Sequence, residues 1–239
     1  MNLVQTQKKE IKIPRLQVAL DVESIDDALA LSKEVAPFVD ILEAGTPLIK
    51  SEGVRAIQAL KDAHPDKLVC ADLKTADAGY LEVKMAAKAK ANIITILADA
   101  YDDTIQESLR AAYDFHVEIM ADLIMSRSPA IRLAGIIDLN YKETKLHYAL
   151  VHSGLDSQAS RRAPLYELES VARIKDHPRL AIAGGIREED ISKLLIYPLD
   201  IIIIGGGITR TKNPSKAAER IRKAMFKYDK TNSLRPKKG

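Results

Sequence analysis

The chain has 239 residues, is 46% apolar and 29% charged, and carries a net charge of +3, an ordinary globular composition with length for one large domain or two small ones. No apolar run approaches the roughly 20 residues that cross a bilayer, and MNLVQTQKKEIKIPR lacks the apolar core of a signal peptide. No basic stripe is interleaved with aromatics, so nucleic-acid binding has no support, and the one cysteine, Cys70, excludes an internal disulfide and fits a reducing cytosol.

Taken in order, short apolar runs alternate with helical patterns. LQVALD (16–21) reads as a strand, followed by Ser24 as an N-cap with Asp27 three residues on and a helix through Ala36. VDILEAG (39–45) is the second strand, with a helix over about 51–63. KLVCADL (67–73) is the third, with a helix near 79–90. NIITILA (92–98) is the fourth, with a helix near 102–113. HVEIMADLI (116–124) is the fifth, with a helix opening at Ser128-Pro129. LHYALVH (146–152), RLAIAGG (179–185) and DIIIIGGG (200–207) complete the set, with helices near 164–175 and 188–196 and a last one from Pro214 to about Lys227.

Strands that are apolar on both faces and separated by helices imply a parallel sheet covered by helices. Eight such units in this length predict an α/β protein, a single-domain (β/α)8 TIM barrel over 14–228, with a doubly wound open sheet as runner-up. Residues 1–13 read as a flexible N-terminal extension and 229–239 as a basic flexible tail.

A barrel of this kind carries its active site at the C-terminal strand ends. Those ends read Asp21, Glu43, Asp72 with Lys74 and Asp77, Thr95, Asp122, His152, Gly184-Gly185 and Gly205-Gly206-Gly207. Each has a plainer reading. Asp21 and Asp77 are equally suited to capping the next helix. Lys74 could simply pair with Asp72, His152 could be a satisfied core histidine, and Asp122 could be a loop aspartate. Glu43 lies before a Gly and short of the next helix, so capping does not account for it.

The glycine clusters AIAGGI (181–186) and IIIIGGGIT (201–209) each join an apolar strand to a helix. Glycines let a backbone approach an anion and present its N–H groups, and barrels bind phosphate after strands seven and eight. Gly184, Gly185, Gly206 and Gly207 are therefore the expected phosphate site. No G-x-G-x-x-G dinucleotide fingerprint is present. Glu43 and Asp72 offer hard oxygens at adjacent strand ends, which suits Mg²⁺. The residues alone thus point to a phosphorylated substrate, Mg²⁺, an ammonium at the reacting centre and a histidine for proton transfer.

LQVALD (16–21), EAGTPLI (43–49), ADLKTADAG (71–79), VHSGLDSQA (151–159), AGGI (183–186) and GGGIT (205–209) carry a family likeness from about Leu16 to Met225. The chain resembles the 3-hexulose-6-phosphate synthase family of the orotidine-5′-phosphate decarboxylase superfamily. D-x-K-x-x-D at Asp72, Lys74 and Asp77 marks the superfamily, and E-x-G-T-P with H-x-G-x-D-x-Q narrows it.

The resemblance implies a reversible aldol reaction of D-ribulose 5-phosphate with formaldehyde, giving D-arabino-3-hexulose 6-phosphate through an enediolate. It implies Glu43 and Asp72 as Mg²⁺ ligands, Lys74 at the oxyanion, Asp21 orienting Lys74, and His152 moving protons. It also implies a homodimer in which Asp77 reaches the partner's site. Arg161 and Arg162 could touch phosphate, though a solvated loop suits them as well. Alternatives are a decarboxylase of 3-keto-L-gulonate 6-phosphate, a Schiff-base aldolase with Lys74 as nucleophile, and a non-catalytic phosphosugar-binding barrel. The expected location is cytoplasmic, without membrane or nucleic-acid partners.

Overall fold

The structure, a computed structural model, describes residues 13–157 and 164–232, with side chains to 227. Eight parallel strands close into a barrel: β1 (Arg15–Leu20), β2 (Ile41–Ala44), β3 (Leu68–Thr75), β4 (Ile93–Leu97), β5 (Glu118–Asp122), β8 (Tyr148–His152), β9 (Arg179–Ala183) and β10 (Leu199–Ile204). They pair in that order, and β10 returns to β1 with Val18 opposite Ile204. The expected (β/α)8 barrel is the observed fold.

Strand period two divides the apolar residues between two cores. Leu16, Val18 and Leu20 of β1 face outward to the helices. Ala19 faces inward, in a layer with Ile41, Cys70, Ile93, Met120 and Leu150. Because both faces are buried, the strands show no polar alternation. Each fully buried Leu or Ile contributes roughly 2 kcal/mol.

The helices begin and end for local reasons. Ser24 caps α1 (Ile25–Val35) by accepting from Asp27 N at 3.1 Å, as expected. The helix expected over 51–63 is α3 (Arg55–Ala63), and a further helix, α2 (Thr46–Glu52), with Pro47 in its first turn, precedes it. Gly53, at φ +67°, ends α2, a conformation that glycine adopts at little cost. After α4 (Gly79–Lys88), α5 (Asp102–Phe115) and α6 (Pro129–Ile136), a small hairpin of β6 (Asn140–Tyr141) and β7 (Thr144–Lys145) precedes β8. The remaining helices are α7 (Leu165–Ala172), α8 (Ile191–Leu194), α9 (Gly206–Thr209) and α10 (Pro214–Asn232). The last runs past the 228 boundary expected from the sequence. Its Arg222 grips Asp40 with both terminal nitrogens, at 2.6 and 2.9 Å, and Asp40 in turn accepts from Leu16 N.

The N-terminal end of the barrel is plugged by polar side chains. Glu118 accepts from Arg179 at 2.5 Å and from Tyr148 at 2.9 Å, and the Arg179 guanidinium lies 4.0 Å from the Tyr148 ring centroid. Arg15 donates to the same phenol. Arg179 and Glu118 are each about a third exposed, so solvent screens the pair. Glu118→Ala should therefore lower unfolding free energy by about 1–2 kcal/mol and leave turnover unchanged, as urea titration and initial rates would read.

Candidate active site

A bulge at the end of β3 builds the centre. Ala71 pairs with Ile94, but the next partner, Ile96, sits opposite Thr75. Asp72, Leu73 and Lys74 bow out of the ladder, and Lys74 takes φ +50°. Bulges re-aim side chains beside functional sites, and a non-glycine residue in this region is held there by its surroundings. Lys74 N donates to Thr95 Oγ1 at 3.0 Å. Its side chain turns back so that Nζ donates to Asp72 Oδ2, lies 3.2 Å from Thr46 Oγ1 and 3.9 Å from Asp122 Oδ2.

Asp72 is nearly buried yet well supplied with donors. Oδ2 accepts from Lys74 and from Thr46 at 2.8 Å, and Oδ1 accepts from Thr95 at 2.9 Å. Burial pushes its carboxyl up, but the Lys74 charge and these hydrogen bonds outweigh that and hold it below the usual range. Lys74 shows the counterpart. Burial works against its charge, while Asp72 and then Asp122 raise the amine above its ordinary value. The amine is a stable cation, the opposite of what a Schiff-base nucleophile requires.

Glu43 ends β2 beside Asp72. It is 6% exposed, and Gln17 donates to its Oε2. Burial, then the Asp72 and Asp21 charges, push its carboxyl well above normal. Burial and the Asp72 charge push Asp21 up in the same way. The Asp21 carboxylate lies against Gly45 and 3.3 Å from the position of a Cβ on Gly205, and any side chain on Gly45 would displace it. Four acids, Asp21, Glu43, Asp72 and Asp122, thus gather round one lysine, with an excess of acid over cation.

His152 ends β8, and its Nδ1 lies 2.9 Å from Asp122 Oδ2, where a carboxylate oxygen accepts from an Nδ1–H. Asp122 is fully buried, and its Oδ1 accepts from Ile124 N at 2.9 Å. Nε2 of His152 is left as the acceptor. A cavity of about 330 Å³ opens beside it, lined by Leu123, Ile124, Ser153, Gly154, Leu165 and Tyr166. A larger open hollow of about 500 Å³, at Asp99–Asp103 and Arg132, holds none of these groups.

The glycine clusters bring the last three strand ends together. Gly184 and Gly185 take φ +103° and +65°, and a Cβ on Gly184 would collide with Ser153. Close packing therefore requires the first of them whether or not an anion binds. Gly206 and Gly207 open α9, whose first N–H groups have no partner within the helix. Exposed Arg210 lies alongside, its Cδ 3.2 Å from the position of a Cβ on Gly206.

The fold thus gathers Asp21, Glu43, Asp72, Lys74 and His152, with the two glycine pairs on the same rim. Lys74 is oriented by Asp72 and Thr46, since among the described residues Asp21 makes no ion pair with it. Asp77 lies apart from the cluster of its own chain, exposed and accepting from Ala78 N at 2.7 Å. Sequence reasoning missed Thr46 and Arg210, and could not tell Asp122 from a loop aspartate. Thr46 lies inside the anchor E-A-G-T-P-L-I, and Arg210 directly follows G-G-G-I-T. Gln158, Arg161 and Arg162 lie outside the described residues.

Among the described residues, no three His, Cys, Asp or Glu side chains are grouped to hold a metal ion. Mg²⁺ commonly takes only one or two carboxylates and keeps its waters. Glu43 Oε1 and one remaining lone-pair position on Asp72 Oδ1 fit that pattern. The excess of acid over cation fits it too.

The family model described as "Orotidine 5'-phosphate decarboxylase / HUMPS family" matches residues 14–221. The chain is 38% identical over 213 residues to the 3-hexulose-6-phosphate synthase of Mycobacterium gastri, covering 88% of this chain and 99% of the relative. A crystal structure of 3-hexulose-6-phosphate synthase superposes with TM-score 0.81 at 38% identity, covering 88% of this chain and 99% of the other. The structure of 3-keto-L-gulonate-6-phosphate decarboxylase from Vibrio cholerae O1 biovar El Tor does so with TM-score 0.79 at 27% identity, covering 91% and 99%.

Proposed function

This chain belongs to the orotidine 5′-phosphate decarboxylase / HUMPS family, and from that premise we propose that it is a 3-hexulose-6-phosphate synthase: an aldehyde-lyase joining D-ribulose 5-phosphate to formaldehyde, reversibly. The observation that carries this reading is the Lys74 amine, held between Asp72 and Asp122 at the same rim as His152, whose Nδ1 is bonded to Asp122.

The residues divide the work as follows. Backbone N–H groups at Gly184, Gly185, Gly206 and Gly207, with the Arg210 charge, hold the phosphate. His152, its tautomer fixed by Asp122, takes the C1 proton through Nε2. Lys74 faces the oxyanion that this leaves, and a fixed cation there typically contributes several kcal/mol. The enediolate carbon then bonds to the formaldehyde carbon, and the aldehyde oxygen takes a proton to become the new hydroxyl. Glu43 and Asp72 would hold Mg²⁺, which when bound supplies Lewis-acid stabilisation to adjacent substrate oxygens. Asp21 adds negative charge beside Lys74 and favours its protonated form.

A decarboxylase acting on 3-keto-L-gulonate 6-phosphate would use much of the same rim, and the 27% identical structure keeps that second reading in view. Supplying each substrate separates them. The synthase reading expects formaldehyde consumption with D-ribulose 5-phosphate, and CO₂ release from the keto-gulonate instead would overturn it. EDTA should abolish the condensation and Mg²⁺ restore it.

A homodimer is the second part of the proposal. Asp77 is exposed on a loop that leads into α4, where Leu81 and Met85 are 56% and 46% exposed one helical turn apart. An apolar pair beside an outward-facing acid suits a second copy that takes Asp77 into its own site. Mixing two inactive variants, Lys74→Ala and Asp77→Asn, tests this. Random exchange makes half the dimers hybrid, each with one intact site, so about a quarter of wild-type activity should return. If Asp77 acts within its own chain, none will.

A further inference from the structure

We propose that Gln17 is a positioning residue for Glu43. This rests on the reading of Glu43 as a metal ligand. Gln17 is fully buried, on the inward face of β1 and level with Ile41, in the inner core that includes Ala19, Cys70 and Ile93. Its Nε2 donates to Glu43 Oε2, and among the described residues its Oε1 has no hydrogen-bond partner.

An amide with an unmet acceptor is costly in such a layer, and a Met or Leu of similar volume would avoid that cost. What a Met could not do is hold Glu43. The Gln17 N–H occupies one carboxylate oxygen, fixes the side chain's rotamer, and leaves Oε1 as the oxygen not already engaged. Groups that hydrogen-bond a metal ligand from behind in this way orient it, and their loss typically weakens metal affinity 10–100-fold. The sequence carries the signal as the one polar residue inside LQVAL, on a strand buried on both faces.

The test uses Mn²⁺ as a spectroscopic probe on full-length, divalent-free protein, with binding read by electron paramagnetic resonance. Gln17→Met should raise the Mn²⁺ Kd about 10–100-fold. Gln17→Asn, which keeps the amide but falls one methylene short, should do the same and stands in should the Met variant misfold. Ile41→Val, a packing change in the same layer, should leave Kd unchanged. Glu43→Gln is measured in parallel. If it weakens Mn²⁺ binding and both Gln17 variants bind as wild type, the role of Gln17 is overturned and the metal site stands. If none of the three weakens binding, the metal-ligand reading falls as well.

Discussion

Lys74→Ala should lower kcat/KM for the condensation by about 10³-fold, the scale on which removing a single oxyanion stabiliser is felt. The geometry makes this an electrostatic loss. Nζ is held by Asp72 and Thr46 with Asp122 3.9 Å away, and these acids outweigh the burial that would favour a neutral amine. Lys74 is raised and Asp72 lowered from their ordinary values. For the lysine, the stabilisation is complete below its unfolded pKa and is lost only as pH rises through the higher folded value. For the aspartate, it is present above the unfolded pKa and lost as pH falls through the lower folded value. The pair therefore persists from acid to strongly basic pH, and Lys74 should contribute no break to the pH–rate profile near neutrality. Borohydride with D-ribulose 5-phosphate should leave Lys74 unmodified. A trapped adduct would identify a Schiff-base enzyme instead.

Asp122→Asn should lower kcat by about 10³–10⁴-fold with a smaller effect on KM, as expected when an aspartate that fixes a catalytic histidine's tautomer is replaced by an amide. Asp122 is fully buried, accepts from Ile124 N on one oxygen and from His152 Nδ1 on the other. An asparagine fills the same space but can present an N–H to Nδ1. The imidazole would then carry its proton on Nε2 and could no longer accept one from substrate. His152→Ala should cost a similar factor, and the double variant little more than either alone, because the two act as one unit. Additive losses in the double variant would separate Asp122 from His152 and remove the basis for the proton-transfer role.

The eight strand–helix units were legible because a barrel strand is buried on both faces and so reads as an unbroken apolar run, DIIIIG being the clearest. What escaped was structure set by few residues. The seven-residue helix that Gly53 ends was not expected, and the strands of the 140–145 hairpin are too short to show any period. The site followed the same division. Glu43, Asp72, Lys74 and His152 were legible as polar groups ending apolar strands. The significance of Asp122 lies in a partner thirty residues away on a neighbouring strand, which no local pattern records. The placing of Asp21 relative to Lys74 has a similar cause. Which carboxylate reaches Lys74 is decided by the bulge at the end of β3, and that bulge is visible only in the register with β4. Asp77, within six residues of Asp72, looked like part of the same cluster, yet the turn into α4 carries it to the surface.

The most direct measurement is proton exchange at C1 of D-ribulose 5-phosphate in deuterium oxide, followed by NMR with no formaldehyde present. With Mg²⁺, the wild-type protein should incorporate deuterium at C1, while EDTA treatment and Lys74→Ala should each slow that exchange by orders of magnitude. Exchange that proceeds at the wild-type rate in the lysine variant, or no exchange by the wild type in the presence of Mg²⁺, would contradict a carbanion stabilised by this amine.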